Sequence, residues 1–349
     1  MTSAATSTIN PSQISSLIHR LKVGQRYTQN LPVGSSDALL LSELAQSLAA
    51  EEPHLTVVLC EHAQDAQRLQ AEMRYFSPHL SIMQLPDWET LPYDRFSPHH
   101  DLVSERLQTL YSLTQKQVDV LIVPVSTALY RLSPPDFLLG RTFSFKQNEV
   151  LDVQRLREQL VNAGYQSVNQ VIAPGEFAFR GGLIDLFPMG SVLPFRLDLF
   201  GDAIESIKTF DVDSQRTIYP VPKVQLLPGR EYPTDEAARG VFRNAWRTRF
   251  EGDASKHALY KDVANGIFNA GIEYYLPLFF EQTATIFDYI STDATLVLHG
   301  LAQTTIRSFW VDTQQRYAFL KGDNASPVLP PDELFLSDEQ FFAHINRFA

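Results

Sequence analysis

Apolar positions in the first 135 residues alternate between two textures. Ile14, Leu17, Ile18 and Leu21 recur at helical spacing after Asn10-Pro11-Ser12, which predicts a first helix. A second, more buried helix is expected over ALLLSELAQSLAA, following LPVGSSD, with Ser36 or Asp37 as its N-cap. LTVVLCE at 55–61 is short, β-branched and apolar on both parities, so it reads as a strand buried on both faces. Ala66, Leu69, Met73 and Phe76 then share one helical side, and SIMQLP is the next apolar segment. A helix from about Leu102 carries Val103, Leu107, Leu110 and Tyr111 into DVLIVPVS, another short buried strand, with Ser126 or Thr127 capping a brief helix. Strands alternating with helices imply a parallel sheet with right-handed crossovers and helices on both faces.

From Thr142 the texture changes. TFSFKQ leads into one helix, DVQRLREQLVNAGY, ended by Gly164, and then into closely spaced strand-like segments joined by Gly- and Pro-containing turns through Asp211. After VDSQRT the helical texture returns in EAARGVFRNAWRTRF and TTIRSFWVDTQQRYAFL, with one more strand candidate, TLVLHG at 295–300. The expected architecture is a discontinuous α/β domain, residues 1–140 and 216–349, interrupted by an inserted α+β domain at 141–215.

A chain of 349 residues with 44% hydrophobic content can bury a large core. Eighteen uninterrupted apolar residues occur nowhere, and the start MTSAATSTINPSQISS lacks both a basic and an apolar signal region, so a cytoplasmic location without membrane association is expected. Cys60 is the single cysteine and sits inside an apolar run, where a buried structural thiol is expected rather than a nucleophile or zinc ligand. A formal net charge of -11 opposes non-specific binding to a phosphate backbone and suits a protein partner.

An α/β domain with glycine in its first strand-helix connection invites a search for a phosphate-binding loop, and none is found. GSSDALLLSEL offers one glycine and no lysine, and Asp37 in its first turn would repel a phosphate. VLIVPV places apolar residues and proline where an acidic Walker B pair would stand. His99 and His100 are adjacent, lack the i, i+4 spacing of helical metal ligands, and suit a solvent or capping role. DWETLPYD brings Asp87, Glu89 and Asp94 together in sequence, but its prolines and aromatics suggest a structured surface loop. No catalytic residue, metal ligand or cofactor site is assigned.

The segment PFRLDLF carries a different signal. A period of two puts Phe195, Leu197 and Leu199 on a core face and Arg196, Asp198 and Phe200 on the other. Two charges of opposite sign beside an aromatic suit an interface, while Arg196 is equally placed to neutralise Asp198. Arg180 precedes Gly181-Gly182, which fits either close approach of another backbone or a bulge or sheet bend with a solvated arginine.

The strings DWETLPYDRFSPHHDLVSERLQTLY at 87–111, GEFAFRGGLIDLFPMGSVLPFRLDLFGDAIESIKTFDVDSQRT at 175–217, LLPGREYPTD at 226–235 and GIEYYLPLFF at 271–280 resemble the amino-terminal, UvrB-homology module of the transcription-repair coupling factor (Mfd) family. The resemblance implies a degenerate P-loop helicase-like sheet domain that has lost its Walker residues, interrupted by an α+β domain that binds UvrA. It implies that Arg180, Arg196 and Phe200 are the UvrA-binding residues, and that this chain recruits UvrA to damage at stalled RNA polymerase without catalysis. In the family, ATP, DNA and RNA polymerase are engaged by later modules; an alternative expectation is an autoinhibitory clamp, in which a later domain of the full-length protein covers the insert's surface until recruitment exposes it. An ATP-dependent DNA-remodelling enzyme like UvrB is the competing expectation, against which the missing lysine argues.

Overall fold

The computed structural model describes residues 21, 23–28, 34–50, 52–323 and 325–348. The first expected helix, with Ile14, Leu17 and Ile18, lies outside them.

Strands β1 (Thr56–Cys60), β2 (Ile82–Gln84) and β3 (Val120–Pro124) run parallel, with β1 and β3 in register from Thr56↔Val120 to Cys60↔Pro124. Every residue of β1 and β3 is buried. The two parities serve two cores: Val57, Leu59, Leu121 and Val123 belong to the main cluster, while Val58, Cys60, Val120 and Ile122 belong to a second one. That second cluster also holds Ala38, Leu41 and Ala45 of the Ser36–Leu48 helix and Ala66, Leu69 and Met73 of the Ala63–Phe76 helix. Covering both faces is what makes the strand sequences apolar without alternation.

The inserted module begins at β4 (Phe143–Lys146), which pairs antiparallel with β11 (Lys223–Leu226) at its exit. Between them lie β5 (Gln166–Ser167), β6 (Glu176–Arg180), β7 (Leu183–Phe187), β8 (Phe195–Phe200), β9 (Ala203–Phe210) and β10 (Thr217–Pro220). They form one mixed six-stranded sheet in the order β10-β9-β8-β7-β6-β5, with only the β5–β6 pair parallel. Asp152 caps the Val153–Asn162 helix by accepting from the Arg155 N–H at 3.0 Å. Leu156 and Leu160 on that helix join Phe177, Ile184, Leu186, Leu197 and Ile207 of the sheet's inner face in the main core.

The strand β12 (Thr295–His299) returns to the parent sheet and pairs parallel with β1, so the order there is β12-β1-β3-β2. The long Ala302–Leu320 helix follows it. The inserted module is seated on the His100–Thr114 helix, where the Gly190 N–H donates to Ser104 Oγ at 2.7 Å. Gly190 has a φ of +81°, a left-handed conformation that favours glycine, and a Cβ there would also crowd the Gln108 side chain, 3.0 Å from its Cβ.

Several sequence expectations change. DWETLPYD is a loop with Glu89 and Leu91 at the surface, but its aromatics turn inward: Trp88 and Tyr93 are buried, Trp88 meets Tyr130 edge-on at 4.9 Å, and the Tyr93 hydroxyl donates to the Leu329 carbonyl at 2.9 Å. Asp87 accepts from Thr127 Oγ1, and Asp94 from Arg316 and the Leu91 N–H, so the carboxylates serve separate structural bonds. The brief Val125–Ala128 helix starts directly after Pro124, and neither Ser126 nor Thr127 caps it. Ser35 is the N-cap position of the Ser36–Leu48 helix and makes no side-chain cap bond, while Asp37 lies inside the first turn. Arg180-Gly181-Gly182-Leu183 is a two-residue hairpin turn with Gly181 at φ +60°, not a bulge or bend.

Candidate protein-interaction face

Opposite residues of an antiparallel pair share a face, so the register of β6–β9 defines two rows on the side of the sheet away from the main core. One row is Ala178, Asp185, Arg196 and Lys208. The next is Arg180, Leu183, Asp198 and Ser206. An irregularity between Asp198 and Leu199 places the extra residue, Glu205, on β9. Alternation along β8 is thereby kept, and Phe200 stays on the arginine side.

Asp185 organises this face. Its carboxylate is fully buried and accepts from Arg196 Nε at 2.7 Å and Arg196 Nη2 at 2.9 Å, the two-pronged geometry that guanidinium and carboxylate favour. Arg180 Nη2 donates to the same carboxylate. Arg196 Nη1 donates to the Gln215 carbonyl at 3.1 Å, and the guanidinium lies 4.9 Å from the Phe210 ring centre. The bonds to Asp185 raise the pKa of Arg196 above its ordinary value, outweighing partial burial. Asp198 pairs with Lys208 Nζ at 2.8 Å, which corrects the alternative that Arg196 is committed to neutralising Asp198. Partial burial opposes ionisation of Asp198, yet its bonds from Lys208 and Ser206 hold its pKa below the usual carboxylate value.

The structure thus brings Arg180 and Arg196 to one carboxylate on one face. Their accessibilities differ: the Arg180 side chain is 45% exposed and that of Arg196 15%. Phe200 is 80% exposed at the end of β8, where the Gly201-Asp202 turn leads back to Ala203. The sequence marks Asp185, Asp198 and Asp202 as acids that make this patch mixed rather than purely basic, but not Asp185 as the shared partner of both arginines, although a lone carboxylate in the apolar strand LIDLF signals a cationic partner across the sheet. Sequence reasoning also passed over Val171, Ala178, Phe187 and Phe210, which form a small core on the same outer side.

Asp37 is buried and accepts from Arg68 Nη2 at 2.7 Å, Arg68 Nη1 at 3.1 Å, the Ala38 N–H at 2.7 Å and His299 Nε2 at 2.9 Å. Burial raises the pKa of Asp37, but the bonds from Arg68 and His299 prevail and lower it. Cys60, at the end of β1, is fully buried, and burial pushes its thiol up to about 12. Among the described residues no group of three or more His, Cys, Asp or Glu side chains is placed to hold a metal ion. No described helix is long and apolar enough to cross a membrane.

The mixed sheet is an insertion in a domain whose parallel sheet is covered on both faces, and the family model for the UvrB interaction domain matches residues 143–232, the stretch that holds it. The chain is 43% identical over 333 residues to the transcription-repair-coupling factor of Escherichia coli K12, covering 93% of this chain and 29% of that protein. It is 40% identical to the one from Haemophilus influenzae Rd, covering 87% of this chain and 26% of that protein. Identity to the one from Myxococcus xanthus is 30%, over 95% of this chain and 29% of that protein. The chain corresponds to the amino-terminal portion of transcription-repair-coupling factors (Mfd) and contains a UvrB interaction domain. It spans under a third of the length of these curated relatives.

Proposed function

We propose that this chain is a protein-recognition module of cytoplasmic transcription-coupled repair, recruiting UvrA through the outer face of β6–β9. Phe200 is the apolar anchor, Arg180 the oriented donor, and Arg196 the third member of the patch. The observation that carries the reading is an aromatic ring 80% exposed on the same face as two arginines gathered on one buried carboxylate. A solvated Phe beside partly desolvated guanidinium is the composition that interface centres favour. Counting Arg180, Arg196 and Lys208 against Asp185 and Asp198, the two rows carry one net positive charge, which the exposed Asp202 in the turn beside Phe200 offsets, on a chain of net charge -11. The face therefore suits an acidic or hydrogen-bond-accepting surface, with a modest dependence on salt.

In this reading the chain makes and breaks no bond and uses no cofactor; ATP, DNA and RNA polymerase belong to other modules of the full-length protein. Asp37 supports it, because a buried carboxylate sits in the first turn where a phosphate would need the helix amides. Titration of purified UvrA against the chain tests the proposal. Arg180→Ala and Phe200→Ala are each expected to weaken the complex by about thirtyfold, the equivalent of a hot-spot loss of about 2 kcal/mol. Unchanged affinity in both variants rejects this face as the docking site. DNA-stimulated ATP hydrolysis by the chain would favour a UvrB-like enzyme instead.

A further inference from the structure

We infer that Asp185 is a positioning residue of this face: its buried carboxylate fixes the direction in which Arg180 meets the partner, and Arg196 chiefly holds that carboxylate in place. The inference rests on the reading of the preceding subsection. A guanidinium has five N–H donors on three nitrogens. In Arg196 all three nitrogens are engaged, Nε and Nη2 by Asp185 and Nη1 by the Gln215 carbonyl, and the side chain is only 15% exposed. Little of it remains for a partner. In Arg180 only Nη2 is engaged within the chain, through Asp185, and at 45% exposure its other nitrogens can donate outward. An arginine held at one nitrogen by a buried anion has surrendered part of its rotamer freedom before binding, so less is lost when the complex forms.

Position and charge make opposite predictions for Asp185→Asn. Removing a negative charge from a face that meets an acidic partner should tighten the complex if Asp185 acts only through its charge. If it acts by aiming Arg180, the complex weakens, by about tenfold. Arg196→Lys keeps the charge but cannot form the fork on Asp185, and is expected to weaken binding in the same way.

The experiment is a double-mutant cycle on UvrA affinity with the wild-type chain, Asp185→Asn, Arg180→Ala and the double variant, with thermal melts confirming that each is folded. The expected result is an approximately tenfold loss for Asp185→Asn alone and no further loss when it is added to Arg180→Ala. Unchanged or tighter binding by Asp185→Asn overturns the inference, as does an equal loss in the Arg180→Ala background. If Arg180→Ala itself leaves affinity unchanged, the positioning role fails, and if Phe200→Ala is unchanged as well, the docking face falls with it. Loss on Arg180→Ala without loss on Asp185→Asn defeats the positioning role alone. Should Asp185→Asn fail to fold, Arg196→Lys takes its place in the same cycle.

Discussion

Replacing Glu231 by alanine removes the partner of a charge that water cannot reach. Arg106 and Glu231 are 1% and 3% exposed, with Arg106 Nε 2.6 Å from Oε1 and Nη2 3.3 Å from Oε2. Arg106 Nη1 donates to the Pro86 carbonyl at 2.6 Å, Trp88 Nε1 approaches Glu231 Oε1 at 3.4 Å, and the guanidinium lies 5.2 Å from the Trp88 ring centre. One ion pair therefore ties together the 86–88 segment, the His100–Thr114 helix and the segment leaving the inserted module. Glu231→Ala leaves Arg106 charged, buried and with one carbonyl as its remaining strong partner, which costs about 3–5 kcal/mol. With a urea slope near 3 kcal/mol/M, roughly the upper value for small proteins, the unfolding midpoint should fall by at least about 1 M. The assay is urea unfolding followed by tryptophan fluorescence, since Trp88 reports this site directly. The double variant Arg106→Met with Glu231→Leu removes both charges together, and should recover most of the loss because apolar replacements of a buried pair are commonly neutral or stabilising. A single-variant loss under about 1 kcal/mol, or a double variant as unstable as the sum of the singles, would refute the argument that an unpaired buried charge dominates here.

Other consequences can be checked in the same protein. The pKa of Asp37 is lowered in the folded state, so its contribution is fully present above the unfolded-state value and is lost as pH falls through the lower folded value. Asp37→Asn should therefore lower stability at neutral pH and flatten the acid limb of a pH–stability profile; an unaltered acid limb contradicts that linkage. Gly190→Ala must place a methyl group against Gln108 at a left-handed φ, and is expected to cost more than about 1 kcal/mol and to speed proteolysis of the inserted module. Wild-type cleavage kinetics in that variant would argue against a tight seat. Phe200→Ala should leave the melting temperature almost unchanged, since the ring is 80% exposed, and a large drop would show that the residue is structural. Cys60 should resist alkylation by a thiol reagent in the folded chain and react on denaturation, because it is buried and its thiol is pushed up to about 12.

Local pattern alone settled the parallel strands β1 and β3 and most helices, while SIMQLP reads as an apolar segment and not as the strand β2. LTVVLC and VLIVP are apolar on both parities because helices or the main core cover both faces, and that requirement is written into every residue of each strand. The Val153–Asn162 and Glu236–Arg249 helices were legible from helical texture and, for the first, from Gly164 at its end, while their caps Asp152 and Asp235 went unread although their bonds are made within three residues of sequence. The outward parity of Arg196 and Phe200 was likewise readable, because alternation is a property of one strand. What Arg180 and Arg196 bind was not, since Asp185 meets them only through the register of three strands, and register is a property of pairing. The same reason hid the Arg106–Glu231 pair and the burial of Trp88 and Tyr93: their partners arrive from segments more than a hundred residues away. Sequence carries each residue's tendency to be inside or outside, and tertiary packing decides which buried charge finds which partner, because that choice is made by long-range geometry rather than by neighbours along the chain.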